Sequence, residues 1–327
     1  PETLSLSIEY LNIIFFGSII IFLLLSVNSA LSAQGDTKSY RNVLIFSFFL
    51  NILLNPILIT GNLFGFKVVS PLGISGIAYA TVISQLIGLL YLSYRFSKTE
   101  IYKFVYFSLK IKLDIIKNIL SQGIPASIGM MMIAVGSYII IYFVGFFGVE
   151  AIAGYTSAGR IEQLLFLPLL GLSTAVVSIV GQNFGAKQFS RVIEVYNKGL
   201  FIGVIILSFL AVLIYICADY SMYLFSENET VRKYGSDYLK ISALMFPAFP
   251  FFFIGNATFQ GLKKAIIVMY MAILRFVLTP IIIVTIINNF IKEDYIYMFI
   301  GLTAMHWLIG ILYYRYSLTK IKNLIDN

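Results

Sequence analysis

The sequence is poor in the residues that usually build metal centres and enzyme active sites. Its 327 residues include one cysteine and one histidine. A single cysteine, Cys217, excludes an internal disulfide and a cysteine-cluster metal site. The chain has no His-Glu-x-x-His pattern and no paired aspartates within an apolar stretch, which argues against a metalloprotease or an aspartyl protease. We therefore expect a protein that is not an enzyme and that holds no cofactor.

Charged residues are scarce as well, at 12% of the chain, whereas 59% of the residues are apolar. Such a chain cannot hide its apolar surface from water in a soluble globule. Its apolar stretches are about 20 residues or longer, enough to cross a bilayer core of roughly 30 Å as helices and about twice the length of a barrel strand. The sequence thus predicts an all-α integral membrane protein with nine transmembrane helices. These predicted spans lie near residues 8–33, 41–64, 72–96, 124–147, 158–184, 200–217, 238–259, 266–290 and 296–316.

Basic residues give the chain a formal net charge of +8. In membrane proteins, lysine and arginine collect in short cytoplasmic loops. Most of the 23 basic residues fall on the same side of the membrane as the turn from Gln34 to Arg41, if the predicted spans alternate in direction. We therefore attribute the positive charge to membrane topology and not to nucleic-acid binding. The prediction is a multi-pass protein of the cell membrane, surrounded by lipid, with a cytoplasmic C-terminus.

Short motifs of the first part of the chain recur in the same order in the second part, roughly 225 residues later. The pairs are Glu9-Tyr10-Leu11 with Asp237-Tyr238-Leu239, Gln34-Gly35 with Gln260-Gly261, Asn55-Pro56-Ile57 with Thr279-Pro280-Ile281, and Tyr94-Arg95-Phe96-Ser97 with Tyr314-Arg315-Tyr316-Ser317. Four motifs in one register predict a duplicated membrane unit, as found in many transporters.

The repeat divides the chain into predicted domains. Residues 1–97 form the last three helices of a first lobe, residues 98–122 a cytoplasmic linker, residues 123–320 a complete six-helix second lobe, and residues 321–327 a cytoplasmic tail. Apolar and basic residues alternate in the linker, which suits an amphipathic helix on the inner membrane surface, although a solvated linker is the alternative. Equal halves would place about a hundred residues before Pro1. We expect the intact protein to have twelve helices, of which this chain holds the fourth to the twelfth.

Four segments resemble the multidrug and toxic compound extrusion (MATE) transporters. The segment from Gly159 to Lys187, GRIEQLLFLPLLGLSTAVVSIVGQNFGAK, resembles their eighth helix. Residues 33–37 resemble the loop after their fourth helix, and residues 72–85 and 123–126 resemble the starts of their sixth and seventh helices. The resemblance implies two six-helix lobes and an N-terminally truncated chain.

In function, the resemblance implies a secondary active multidrug exporter. It would exchange small organic, cationic compounds for Na⁺ or H⁺ by alternating access of its lobes, and we expect it to be a monomer. A flippase for lipid-linked oligosaccharides, from the same superfamily, is an alternative, but it should carry several basic residues in its cavity and only Arg275 lies within a predicted span. A truncated membrane fragment without transport activity is a further alternative.

Polar residues in the second span are the candidates for ion coupling. Asn51 and Asn55 lie four residues apart, on one helix face, and Pro56 frees a backbone carbonyl one turn earlier. The resemblance is closer to the archaeal and DNA-damage-inducible branches, in which an Asn-x-x-x-Asp-Pro motif and a threonine line a cation pocket; Asn51 and Thr81 match this pattern. Asn55 replaces the aspartate, so it can ligate Na⁺ but cannot carry a proton. The alternative is that both amides only bridge helices by hydrogen bonds.

A second branch uses acidic residues at positions that Ile133 and Phe249 occupy here, so we expect the second lobe not to hold the ion.

We expect the charged and titratable residues elsewhere in the spans to have structural roles. Glu162 should lie near the outer surface at the start of its span, Arg275 should reach an interface or a polar partner, and His306 should pack between helices.

Two further sets of residues are candidates for conformational change and substrate contact. Pro168 within a span and Gly171 after it favour bending, so they are hinge candidates, although a static kink is an equal alternative. Met131, Tyr138 and Phe249 are candidates for lining the substrate cavity, because thioethers and aromatic faces accommodate varied organic cations.

Overall fold

The fold was taken from a computed structural model, which describes residues 2–63, 66–104, 112–290 and 295–325. The α-helices are α1 (Glu2–Ala33), α2 (Lys38–Thr60), α3 (Ile74–Ser97), α4 (Leu113–Val144), α5 (Val149–Leu165), α6 (Leu167–Gly185), α7 (Phe189–Tyr223), α8 (Glu229–Met245), α9 (Phe249–Gly261), α10 (Ala265–Ile273), α11 (Thr279–Phe290) and α12 (Tyr295–Ile325). Two short strands, β1 (Asn62–Leu63) and β2 (Phe66–Lys67), pair antiparallel after α2.

Nine helical stretches within the described residues are long and apolar enough to cross a membrane. This confirms the predicted all-α membrane fold. The observed helices extend beyond the predicted spans at several ends, as α7 does, because polar residues at an interface still satisfy their backbone groups within a helix. Apolar periodicity therefore located each span better than it located the span's ends.

Helix α6 follows α5 directly after a break at Phe166, and α6 is the part that is long and apolar enough to cross a membrane. Pro168 lies in the first turn of α6, where its missing N–H removes no helical hydrogen bond. The predicted start of the fifth span, at Ala158, was wrong: α5 begins at Val149, directly after Gly148, whose φ of 105° ends the preceding turn. The polar residues before Ala158 had hidden this early start.

Two crossings are interrupted within their length. A 3₁₀ turn at Phe246–Ala248 joins α8 to α9, and Pro247 and Pro250 lie at or beside this turn. A π-helical turn at Leu274–Leu278 joins α10 to α11. Single π turns within helices occur often at functional sites. Both interruptions lie within the second of the two units described below.

The predicted linker begins with a short 3₁₀ helix at Glu100–Phe104, and residues 105–111 lie outside the described part of the chain. Its last part differs from the prediction, because Leu113 to Gln122 form the first turns of α4 and continue into the crossing without a break. The helical period persists through Gly123 and Pro125, so no separate surface helix ends at Gln122. A position of this segment on the inner membrane surface stays a prediction.

The chain separates into two compact units, residues 1–111 and 112–327. In the first unit α3 packs against both α1 and α2. In the second unit α4 to α12 surround a larger core, whose fully buried side chains include Tyr196, Phe246, Phe252 and Phe259.

A polar cluster joins α2 and α3 in the first unit. Asp36 accepts hydrogen bonds from the backbone N–H of Ser39 at 3.0 Å and from its hydroxyl at 2.7 Å, which caps the start of α2. Arg95 of α3 donates to Asp36 at 3.2 Å and to Ser39 at 3.0 Å. The Ser39 hydroxyl, its N–H and Arg95 hold the pKa of Asp36 below its usual value of 3.8.

We predict that Asp36 stabilises this unit only when it is ionised. Its contribution is complete above pH 4 and is lost as the pH falls through its lowered folded-state pKa. Thermal unfolding in detergent should show that Asp36→Ala costs about 1 kcal/mol at pH 7 and that this cost shrinks below pH 4. Glu100→Gln, at an exposed ion pair, is the control and should have little effect. An Asp36→Ala cost that stays constant down to pH 2 would refute the assignment.

Candidate functional site

Two of the predicted coupling residues, Asn51 and Asn55, lie on α2, and the third, Thr81, lies on α3. The Asn51 amide donates to the backbone carbonyl of Ser47 and to the hydroxyl of Ser84 of α3, both at 2.9 Å. The Asn55 oxygen Oδ1 and the Ser47 hydroxyl are buried without a hydrogen-bond partner among the described residues. Uncoordinated buried oxygens of this kind fit a hard cation such as Na⁺.

Within the described part of the chain, no hydrogen bond joins Thr81, Asn51 and Asn55 to one another. The Thr81 hydroxyl donates to the Ile77 carbonyl of its own helix at 3.1 Å. Ser84, one turn further along α3, makes the contact with Asn51 instead. A role of Asn51, Asn55 and Thr81 in ion binding stays a prediction.

The second unit contains a cavity of about 320 Å³. Its walls come from α4, α5, α8, α9, the π turn, α11 and α12. They are mostly apolar and aromatic, and they also include Glu162, Arg275 and His306. This size and composition, apolar walls with few polar groups, are typical of small-molecule sites.

Close contact between α5 and α8 forms one side of this cavity. A Cβ atom at Gly154 of α5 would lie 2.7 Å from the Val231 carbonyl oxygen and 2.8 Å from the Gly235 nitrogen of α8. Only glycine permits this approach, as at many helix contacts in membranes. About two turns further along α5, Glu162 contacts Tyr238 of α8.

Glu162 is a buried carboxylate at this end of the cavity, with 9% of its surface exposed. Its Oε2 accepts a hydrogen bond from the Tyr238 hydroxyl at 2.8 Å, and its Oε1 makes none. Ser242, whose hydroxyl donates to the Leu239 carbonyl at 3.2 Å, lines the same wall and is close enough to turn towards the carboxylate. A carboxylate with a vacant oxygen can bind a proton or a cation.

Aromatic rings surround Glu162. The Tyr155 ring lies 4.9 Å from that of Tyr238 and 5.7 Å from that of Phe299, and the Tyr238 and Phe299 rings are 4.6 Å apart. Their faces and the carboxylate together suit an organic cation.

Arg275 lies in the π turn, at a different part of the cavity wall. Its guanidinium carbon is 4.3 Å from the ring centre of Phe252, 4.7 Å from that of Phe276 and 4.8 Å from that of Phe249. The expected polar partner of Arg275 is not found among the described residues, and a position at the membrane interface stays a prediction. His306 packs between helices as expected, with its ring 4.6 Å from those of Phe249 and Phe252.

The structure separates the three predicted substrate contacts. Phe249 is buried and lines the cavity. Met131 and Tyr138 of α4 point away from it and are 55% and 75% exposed within their unit. Their contact with a substrate stays a prediction.

The hinge candidates lie beside the break between α5 and α6. Pro168 follows the break at Phe166, and Gly171 has open space where a Cβ atom would lie. Gly171 is therefore not required by packing. Bending at these residues stays a prediction.

Sequence reasoning missed the importance of Glu162. The sequence predicted a position for Glu162 at the start of a span and therefore near the outer membrane surface. In the structure Glu162 lies 13 residues into α5, about 20 Å along the helix. A usable signal was present, because Ala151, Gly154 and Ala158 precede it on one buried face. Ile133 and Phe249 line the same cavity as Glu162.

A family model described as MatE matches residues 1–57 and 125–286, which is most of the chain. The chain belongs to the MatE family. Among curated proteins, it is 33% identical to the "Probable multidrug resistance protein YoeA" of Bacillus subtilis strain 168 over 263 residues, 79% of this chain and 55% of that protein. It is 28% identical to the "Probable multidrug resistance protein YpnP" of the same organism over 328 residues, 99% of this chain and 71% of that protein.

Solved structures of this family share the fold. One, described as the outward-facing conformation of a multidrug resistance MATE family transporter, matches 100% of this chain and 72% of its own, with a TM-score of 0.89 and 25% identity. The chain spans 55% of the length of YoeA. The relatives' names therefore describe proteins of which this MatE chain covers only a part.

We predict that Glu162 and Tyr238 are energetically coupled. Tyr238→Phe leaves the buried carboxylate without its donor and should destabilise the protein by about 1–3 kcal/mol. In a Glu162→Gln background the same substitution should cost less, because the partner is no longer charged. Thermal unfolding of both single variants and the double variant measures this difference. Additive effects would rule out the coupling, and Tyr297→Phe, at an exposed tyrosine, is the control.

Proposed function

We propose that the intact MatE protein is a secondary active exporter of small organic compounds, with the cavity of the second unit as a substrate-binding site. The observation that carries this proposal is the cavity itself, about 320 Å³ with aromatic walls and a buried carboxylate. The names of YoeA and YpnP support it. We further propose the cell membrane as its location, with a cytoplasmic C-terminus.

The Glu162 end of the cavity fits cationic substrates. Its carboxylate has one uncoordinated oxygen, and the Tyr155, Tyr238 and Phe299 rings offer π faces beside it. A cation at this position would gain both charge pairing and contact with the rings. Phe249 supplies apolar contact further along the wall.

For coupling, we propose that the amide cluster of the first unit binds Na⁺. The Asn55 Oδ1 is a buried oxygen without a partner among the described residues, and Asn51, one turn earlier on α2, is held in place by Ser84. Amides cannot release a proton at neutral pH, so this cluster cannot couple to H⁺. Glu162 is the group among the described buried residues at which H⁺ coupling would occur instead.

Alternating access requires a place where a crossing can bend. The break at Phe166, with Pro168 and Gly171 beside it, supplies such a place at the end of α5, the helix that carries Glu162. Bending there would move the carboxylate relative to α6. The flippase alternative is not favoured, since the relatives' names describe multidrug resistance.

The decisive experiment is dye efflux from vesicles that contain the intact protein, with Na⁺ and pH gradients imposed separately. An inward Na⁺ gradient should drive efflux of a fluorescent cationic dye. Asn51→Ala should reduce this Na⁺-driven rate roughly tenfold, as expected for loss of one ligand network. Asn55→Asp should add dependence on the pH gradient, because it restores a titratable carboxylate.

Matched variants test the assignment. Asn42→Ala changes an exposed amide of α2, and Glu150→Gln changes an exposed acid of α5, so neither should alter coupling. If efflux is driven by the pH gradient alone and is abolished by Glu162→Gln, ion coupling belongs to Glu162 of the second unit and not to the amides of the first unit. Absence of efflux under both gradients would count against export altogether.

A further inference from the structure

We propose that the Arg275 end of the cavity is a subsite for the carboxylate group of a small aromatic acid. The proposal rests on the proposed function, because it specifies part of the substrate that this cavity accepts. It adds a site for negative charge to a cavity whose other end fits a cation.

The first argument is an unpaired cation. Arg275 forms no ion pair and no hydrogen bond with any other described residue, although its guanidinium has five N–H donors. Three phenylalanine rings lie against it, and such contacts offset only part of the cost of removing the charge from water. A charge removed from water is costly unless it is paired and hydrogen-bonded. The side chain faces the cavity, where an anion would satisfy it.

His306 provides the second, independent argument. It is 6% exposed and lines the cavity, and its Nε2 has no hydrogen-bond partner among the described residues. The Phe249 and Phe252 rings that support the guanidinium also hold this imidazole, at 4.6 Å each. Two unsatisfied polar groups are thus fixed by the same two rings at one end of the cavity.

Residues already in the cavity do not supply the missing anion. Glu162 is bonded to Tyr238 and makes no ion pair with Arg275. Tyr155 and Tyr238 are the other titratable groups on the wall, and both belong to the Glu162 end. A ligand must therefore bring the negative charge.

The geometry favours a carboxylate over a larger anion. One guanidinium binds one carboxylate through two parallel hydrogen bonds. A pyrophosphate carries more charge than a single arginine can balance. The apolar walls and the volume of about 320 Å³ fit a bicyclic aromatic ring attached to the acid.

A matched probe series tests this subsite in the purified, intact protein. The probes are 1-naphthoate, its neutral isostere 1-naphthamide, and 1-naphthylmethylammonium, with binding measured by calorimetry and by the shift in thermal unfolding. Naphthoate should bind more tightly than naphthamide. Arg275→Met should weaken naphthoate binding roughly ten- to hundredfold without affecting naphthamide.

Further variants separate the contributions that the Arg275 charge, its paired N–H donors and the His306 ring make to naphthoate binding. Arg275→Lys keeps the charge but not the paired donors, so it should recover only part of the affinity. His306→Phe keeps the aromatic packing and should weaken naphthoate binding by a smaller factor. Arg160→Met, at an exposed residue of α5 outside the cavity, should change nothing. Arg275→Met removes an unpaired, partly buried charge, so its unliganded form should be at least as heat-stable as the wild type.

Several results would overturn the subsite. One is equal binding of naphthoate and naphthamide, and another is naphthoate binding that survives both Arg275→Met and His306→Phe. A third is displacement of naphthoate by pyrophosphate. The last is binding that is confined to the ammonium probe and depends on Glu162. None of these measurements needs an ion gradient. Dye efflux by the same preparation therefore distinguishes failure of the subsite from failure of the export proposal.

Discussion

The contact between α5 and α8 is the constraint on which the second unit's cavity depends. Gly154 lets the two backbones approach so closely that a single added carbon would meet the backbone at Val231 and Gly235. Within a bilayer, helices gain little from apolar burial against one another, so close packing and interhelical hydrogen bonds hold them together. This contact provides both, since Glu162 of α5 also bonds to Tyr238 of α8. The carboxylate then lies in the wall of a cavity instead of facing lipid.

The two units differ in the charge and in the hydrogen-bond partners of their buried polar groups. Around Asn51 in the first unit, amides and hydroxyls of α2 and α3 lie close together without a formal charge, and some of their oxygens are unsatisfied. In the second unit, opposite charges lie on one cavity wall, Glu162 supported by a tyrosine and Arg275 by phenylalanines. Ionisable groups within membrane proteins are costly and mark functional sites.

Much of the fold followed from the sequence because the bilayer imposes simple rules. A crossing must be a long apolar helix, so hydropathy located the crossings, and the recurring Asp237-Tyr238-Leu239 motif turned out to include the partner of Glu162. The ends and interruptions were harder to predict. Polar residues concealed the start of α5 at Val149, and nothing in a local pattern distinguishes the π turn at Leu274–Leu278 from an ordinary helix.

The site was less predictable because it depends on which helices meet. Phe249 was identified as a cavity residue, but so were Met131 and Tyr138, which lie on another face of α4. Arg275 and His306 were given structural roles because sequence alone does not reveal that the same two rings hold both. Their shared position emerges only from tertiary packing.

The central claim is that substrate binds in the cavity of the second unit, and filling that cavity tests it most directly. Gly159 lines the cavity, and a Cβ atom added there meets no other atom within 4 Å. Gly159→Trp should therefore fold and insert normally but abolish dye efflux, whereas Gly185→Trp, at an open position outside the cavity, should transport like the wild type. Undiminished efflux by a stably inserted Gly159→Trp variant would contradict the account.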